Sequence, residues 1–444
     1  MPARDHASRL SGWGGPSVPG RELLSEDLAA VARGAVLTRG LGRSYGDASL
    51  PPAGIDIVAG SRLADRLLDF DPATRLLRAE AGLALADLVW LLLPRRLFPP
   101  VVPGTQYVTL GGMVAADVHG KNHHVDGTFG RHVEALALLT AGGERVRCSR
   151  DEHADLFRAT LGGMGLTGHI LEVEFRVVPI PTPWIVQETE SVRDIDEFLA
   201  ALAAAARDWP FTVGWIDCLA RGARLGRGVL FRGRWAQPAE APASAPRPLG
   251  GPAVPFEFPS WALNDLSVRL FNAVYAGVHA RRGRRRVVHP QRFFWPLDGV
   301  RSWNRIYGRR GFTQFQCVLP ESERPGATRR LLAEAAGRGG TSFLCVVKDC
   351  GAEGEGLLSF PRPGVSVALD LPRRAETQQL VEVLAELVIA EGGRVYLAKD
   401  SFLRADQLAR MEPRLAEFLR VRARWDPGRR LRSAQSVRLL GDPA

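Results

Sequence analysis

Cysteine, a membrane-length apolar run and a true dinucleotide fingerprint are scarce or missing in this sequence. The five cysteines, Cys148, Cys218, Cys317, Cys345 and Cys350, form no CxxC pair, and an odd number in 444 residues makes no disulfide framework. That argues against structural zinc and for a reducing compartment. The N-terminus, Met-Pro-Ala-Arg-Asp-His, is polar and lacks the apolar core of a signal peptide. The longest apolar run, Leu88 to Leu93, falls far short of the roughly 20 residues a spanning helix needs. Aromatic–basic interleaving is also absent, so no nucleic-acid partner is expected. These absences describe a protein expected in the cytoplasm, soluble or peripheral at a membrane.

The composition, 45% apolar and 24% charged, is that of a globular chain long enough for two or more domains. Net charge is +10, from 58 Lys+Arg against 48 Asp+Glu, with arginine dominant. This fits attraction to a phosphate, a nucleic acid or a membrane surface, or a merely basic soluble protein.

In chain order, Ser25 to Arg33 reads as a short helix capped by Ser25, followed by strands at 36–38, 55–58 and 75–80. A helix over 83–93 is stopped by Pro94. A hairpin over 133–148, a helix at 156–160 and an alternating strand at 170–177 lead to Pro179 and Pro181, a domain boundary. The stretch 236–255, rich in Ala, Pro and Gly, reads as a surface insertion. Leu266, Leu270, Val274 and Val278 recur every four residues and predict an amphipathic helix. The basic cluster Arg281 to Arg286 closes it. Strands at 314–319, 343–348 and 365–371 then alternate with helices at 324–336 and 376–390.

The densest chemistry lies between Pro103 and His124. A turn through Gly111 and Gly112 leads into HGKNHH at 119–124, which places His119, Lys121, His123 and His124 close together. Glycine lets backbone approach a bulky ligand, and the imidazoles and amine supply donors, acceptors and charge. A metal site would need converging imidazoles, yet the adjacent His123 and His124 should diverge. No Cys, Asp or Glu stands nearby at ligand spacing, so no metal is expected. Any one of these histidines read alone is a satisfied core residue. The run as a whole reads as an active-site wall.

Two more glycine clusters matter. RGLGRSYGD at 39–47 follows a strand with spacing GxGxxxG, one residue too long for the Rossmann fingerprint. It still gathers N–H groups and an arginine suited to pyrophosphate. The third cluster is 162–168. One phosphate needs one such loop, whereas an extended dinucleotide needs several, which points to a flavin dinucleotide held noncovalently by a non-Rossmann domain. Lys399 follows the apolar strand 395–398. It is either a buried amine meeting a reacting oxygen or a strand-end lysine reaching solvent.

In register, RGLGRSYGD, the run from Pro103-Gly-Thr to HGKNHH, Gly165-Leu-Thr-Gly168 and Tyr396-Leu-Ala-Lys-Asp-Ser401 resemble the decaprenylphosphoryl-β-D-ribose 2-oxidase family of vanillyl-alcohol-oxidase-like flavoproteins. The likeness runs from Gly12 to the C-terminus, takes in Trp303–Tyr307 and Gln314-Phe-Gln316, and is weakest over 181–290. It implies an α+β, two-domain FAD-binding fold of PCMH/VAO type with an antiparallel-sheet substrate domain. The FAD domain would be 1–180 completed by 394–444, and the substrate domain 181–393. Implied FAD contacts are Arg39, Gly40, Leu41, Gly42, Arg43, Ser44, Tyr45, Gly46, Asp47, Gly104, Thr109, Leu110, Gly111, Gly112, Ala116, Asp117, Val118, His119, Ile170 and Tyr396. Implied substrate-pocket residues are Lys121, Gln314, Gln316, Lys348 and Lys399. Ser44 and Tyr45 stand where covalent relatives carry a histidine, implying noncovalent FAD. Three positions depart from the family: Ala368 replaces a pocket cysteine, Ser366 an asparagine and Trp295 a histidine.

The reaction implied is oxidation of a sugar secondary alcohol to a ketone, with the 2-hydroxyl of a polyprenyl-phosphoryl ribose as substrate. This is the first half of an epimerisation to arabinose that an NAD(P)-dependent reductase partner would complete. Lys399 would orient or deprotonate the hydroxyl and His119 would form the flavin-facing wall. On its own residues, the cluster Arg281 to Arg286 is either a solvated loop or the group that meets the lipid phosphate at a membrane surface. A soluble polyol, aldonolactone or glycoside is the alternative substrate.

Overall fold

Two sheet systems bracket the middle of the molecule. The structure, a computed structural model, describes residues 4–15, 17–52, 57–259, 261–281, 285–340 and 342–444. Part of the strand expected at 55–58, and Arg282 to Arg284 of the basic cluster, lie outside the described residues.

The N-terminal half holds a mixed four-stranded sheet in the order Arg4–Ser11, Ser17–Leu24, Ile57–Gly60, Thr38–Arg39. An antiparallel five-stranded sheet runs Leu67–Asp71, Leu76–Glu80, His169–Arg176, Val133–Leu139, Arg145–Ser149. The expected 133–148 hairpin is its edge. The helix Leu28–Ala32 starts later than expected. Asp27 caps it, its carboxylate accepting from the Ala30 N–H, while Ser25 accepts from Asp27. The Gly111–Gly112 pair is no turn. It lies in the helix Leu110–Ala115, where the Thr109 hydroxyl caps the Gly112 N–H at 3.2 Å.

The second system is an eight-stranded antiparallel sheet: Arg286–Val288, Ile185–Val192, Gly228–Trp235, Phe211–Ile216, Cys345–Cys350, Gly364–Pro372, Phe312–Leu319, Arg394–Val395. Its register sorts side chains cleanly. Gln316 lies opposite Ala368, Ala368 opposite Val346, and Ser366 opposite Lys348. Because side chains alternate along a strand, Gln314, Gln316, Ser366, Ala368, Asp370, Val346 and Lys348 share one face. Phe315, Cys317, Val367, Leu369, Cys345 and Val347 take the other, in a core with Leu331 of the helix Ala327–Gly337 and Leu384 of the helix Thr377–Ala390.

The helix Asp265–Arg281 forms where its four-residue period places it, but its apolar stripe points outward. Leu266 is 77% exposed, Leu270 66% and Val274 58%, while Val268 and Asn272 are buried. The period reveals that a stripe exists, not which way it faces. The tail returns to the first half. Arg438 binds Asp47 at 2.7 Å and Asp400 at 2.9 Å, and the Ala434 N–H donates to the Leu50 carbonyl. The expected boundary at 394 falls inside the eight-stranded sheet, since Arg394–Val395 pairs with Val318 and Cys317.

Candidate active site

A cavity of about 1110 Å³ lies between the two systems. This exceeds the roughly 300–1,000 Å³ of most small-molecule sites, leaving space for a dinucleotide and a second molecule. One wall is made by the loops around 38–49 and 102–121, and the floor by the polar face of the eight-stranded sheet.

The wall suits an extended dinucleotide. Gly40, Leu41, Gly42, Arg43, Ser44, Tyr45, Gly104, Thr109, Gly112, Ala116, Val118, His119 and Tyr396 all line the cavity. Gly42 sits at φ +63°, in the left-handed region that favours glycine. A Cβ added at Gly104 or Gly165 would meet only open space, so both leave room for a bulky ligand. The Arg43 guanidinium stacks 4.1 Å from the Trp13 ring, and its Nε is buried without a partner. His119 Nδ1 is likewise buried and unpartnered. Orphaned donors of this kind cost about 1–3 kcal/mol each unless a ligand takes them. The residues present therefore fit FAD.

The other expected contacts lie outside the cavity lining. Arg39 donates to the Ser49 and Ser11 carbonyls and braces the loop. Gly46 packs against the Asp400 carbonyl, where a Cβ would come within 1.7 Å. Asp47 pairs with Arg438. Leu110 and Ile170 are core residues, and Gly111 donates to the Ala81 carbonyl. Asp117 is buried, accepting from the Gly130 N–H and the Ser359 hydroxyl. None of these seven lines the cavity, and each braces the backbone that does.

The five expected substrate residues converge on the cavity. Gln316 Nε2 donates to His119 Nε2 at 2.9 Å and approaches Ser366 Oγ at 3.2 Å. With Nε2 accepting, the neutral His119 ring carries its proton on Nδ1. Burial, then the charge of Lys348, pushes the His119 pKa well below the usual range, so the ring is neutral. His123 accepts from the Gly351 N–H and His124 pairs with the Trp209 carbonyl, so the two diverge as expected and neither lines the cavity. Lys121 Nζ donates to the Phe294 carbonyl at 2.7 Å, and burial followed by Lys348 pushes it down to about 7.

Lys399 is held from two sides. Tyr396 N–H donates to the Gln316 carbonyl at 2.9 Å, and Tyr45 N–H to the Ala398 carbonyl at 3.1 Å, pinning its segment between sheet and loop. Its ammonium lies 3.6 Å from the Tyr45 ring centroid. Among the described residues neither Lys348 nor Lys399 has a hydrogen-bond or ion-pair partner, and both open onto the cavity.

Sequence reasoning missed Asp370. It is fully buried and accepts from Gln314 Nε2 and, at 3.3 Å, from the Tyr307 hydroxyl. Burial pushes its carboxyl up and the Lys399 amine down, while their mutual attraction opposes both shifts. A second missed signal lies in the composition. The chain contains three lysines, Lys121, Lys348 and Lys399, and all three line this one cavity. Of the three positions where the resemblance breaks, Ala368 lines the cavity. Ser366 supports Gln316, while Trp295 is buried with its Nε1 bound to the Pro103 carbonyl at 2.9 Å.

The wall, the floor and the convergent amines define an FAD-binding oxidoreductase site, and a family model described as an FAD binding domain matches residues 27–149. The chain is 35% identical over 440 residues to decaprenylphosphoryl-β-D-ribose oxidase of Mycolicibacterium smegmatis, covering 94% of each protein. It belongs to that oxidase family. An uncharacterised Streptomyces coelicolor protein is 34% identical, over 78% of this chain and 96% of its own length. Bovine L-gulonolactone oxidase is 33% identical, over 30% of each chain.

Proposed function

We propose that this chain uses noncovalent FAD to oxidise the 2-hydroxyl of a polyprenyl-phosphoryl β-D-ribose to a ketone. The observation that carries this reading is Lys399, held between the sheet floor and the 39–47 loop and facing the His119–Gln316 pair in one cavity. The full-length similarity to the mycobacterial oxidase supports the sugar. FAD, when bound, supplies the acceptor for the hydride leaving the carbinol carbon. Lys399 orients the hydroxyl or takes its proton, and Asp370 sets the charge on Lys399. Gln316 fixes the tautomer of His119, which closes the cofactor side. Lys121, Lys348 and Gln314 hold the rest of the sugar phosphate.

In this reading the cofactor part is 1–180 with 394–444 and the substrate part 181–393, the strand Arg394–Val395 reaching across from the tail to pair with the substrate sheet. The ketone is then reduced by an NAD(P)-dependent partner, completing epimerisation. A peripheral membrane contact follows from a polyprenyl tail. Arg285, from the basic cluster expected to make it, instead bonds Glu240 at 2.9 Å. Among the described residues no helix is long and apolar enough to cross a membrane. The test is anaerobic bleaching of the flavin absorbance. A prenyl-phosphoryl ribose should bleach it, and free sugars, polyols and aldonolactones should not. Bleaching by a lactone alone would replace the substrate with the soluble class.

A further inference from the structure

A second, smaller cavity of about 260 Å³ lies outside the candidate active site, lined by Arg221, Arg224, Arg227 and Arg269 around Asp217. One carboxylate cannot neutralise four guanidiniums, so the pocket carries surplus positive charge. Asp217 is already spent. It holds Arg227 at 2.6 Å and accepts from the buried Asn272 amide at 2.7 Å. Arg221 is turned to the Ala336 carbonyl at 2.7 Å. Among the described residues the side chains of Arg224 and Arg269 have no hydrogen-bond or ion-pair partner. Two free guanidiniums at one small cavity make a phosphate-sized anion site.

The surroundings of this pocket decide what brings the phosphate. Arg269 and Asn272 lie on the helix Asp265–Arg281, whose Leu266, Leu270 and Val274 form the exposed apolar stripe. Trp261 is also exposed just before it, at 75%. The same helix turns Phe271 and Tyr275 into the large cavity. An apolar stripe flanked by arginines is the pattern of a helix lying in a lipid interface. A free anion would leave the leucines without a purpose, whereas a bilayer takes both features at once.

We propose that this face is a membrane-docking surface: the helix stripe enters the headgroup boundary, and the Arg221–Arg224–Arg227–Arg269 pocket takes the phosphate of an anionic phospholipid. Docking there brings the helix that lines the large cavity to the bilayer, so a lipid-linked sugar reaches the site without its tail crossing water. That purpose rests on the substrate reading above, while the docking itself does not.

The experiment uses the FAD-loaded full chain and sedimentation with phosphatidylcholine vesicles, with and without one third phosphatidylglycerol. The wild type should partition onto the anionic vesicles and poorly onto neutral ones. The pair Arg224→Gln with Arg269→Gln should weaken that partition roughly 30-fold. Leu266→Asn with Leu270→Asn should weaken it at least about 10-fold. Flavin content should stay unchanged in both, since none of the four residues lines the large cavity. Equal partition onto both vesicle types, or arginine variants that bind like wild type, would overturn the proposal. So would inorganic phosphate binding that needs Arg224 and Arg269 while vesicles are ignored, which would leave a site for free phosphate. The assay needs no turnover. Failed bleaching by lipid-linked ribose beside intact vesicle binding would sink the substrate reading alone.

Discussion

Asp370→Asn isolates the electrostatic link on which the proposed chemistry depends. The asparagine keeps the shape of the side chain. Its carbonyl still accepts from Gln314, and its amide still meets the Tyr307 hydroxyl, which can accept as well as donate. What disappears is a buried carboxyl, itself pushed up to about 7 by burial, whose ionised form raises the pKa of Lys399. Among the described residues no carboxylate comes within the 4.0 Å of an ion pair with Lys399. At an effective dielectric near 20 the attraction therefore stays below about 4 kcal/mol, and at about 1.4 kcal/mol per pH unit the Lys399 titration should fall, by less than about 3 pH units.

The sign is the same under either role of Lys399. If the neutral amine is the base, the rate rises as pH climbs through the Lys399 pKa, and the variant starts that rise at lower pH. If the ammonium orients the hydroxyl, the rate falls through the same pKa, and the variant starts that fall at lower pH. The assay is the anaerobic single-turnover rate of flavin bleaching by the lipid-linked ribose across pH. The direction of the limb reports the role, and its displacement reports the coupling. A profile that keeps its wild-type midpoint would refute the link between Asp370 and Lys399.

Other substitutions test the remaining parts of the site. Lys399→Met should keep FAD, because the lysine faces the substrate space, yet slow substrate-driven bleaching by about 10²–10⁴-fold. A loss under tenfold would remove Lys399 from the chemistry. Gly46→Ala should lower the flavin-to-protein absorbance ratio of the purified protein. Its Cβ would come 1.7 Å from the Asp400 carbonyl and push the 39–47 loop off the tail. Full cofactor loading in that variant would show that the loop adapts.

What the sequence made legible follows from which signals are local. Clustered glycines and HGKNHH mark places where backbone meets a ligand, and 13 of the proposed FAD contacts do line the cavity. Residues such as Asp117 and Ile170 sit in the same motifs but serve the scaffold, and motif register cannot separate the two. The alternation Thr-Gln-Phe-Gln-Cys-Val-Leu over 313–319 already separates a polar face from an apolar one. Asp370 stayed hidden because a lone aspartate near the end of an apolar strand looks like an exposed strand end. Only pairing with Gln314 across the sheet shows that it is buried. The outward stripe of Asp265–Arg281 was illegible for a different reason, because periodicity carries no information about which partner a helix face meets.

The three lysines bear on whether this cavity needs amines or merely positive charge. Every other basic residue among the 58 Lys+Arg is an arginine, a group that stays protonated in proteins. A chain built from arginine but carrying lysine only at Lys121, Lys348 and Lys399 places its titratable cations in one cavity. Lys348 is the informative one to change, since its charge depresses Lys121, His119 and Lys399. Lys348→Met removes that like charge, so the Lys399 titration should rise. Its pH–rate limb should then move to higher pH, opposite to the movement in Asp370→Asn. Lys348→Arg keeps the charge and should leave the limb near its wild-type position. If the methionine and asparagine variants move the limb in the same direction, the cavity does not act as one electrostatic unit. If the arginine variant shifts the limb as far as methionine does, it is the compact, titratable amine and not its charge that Lys348 contributes.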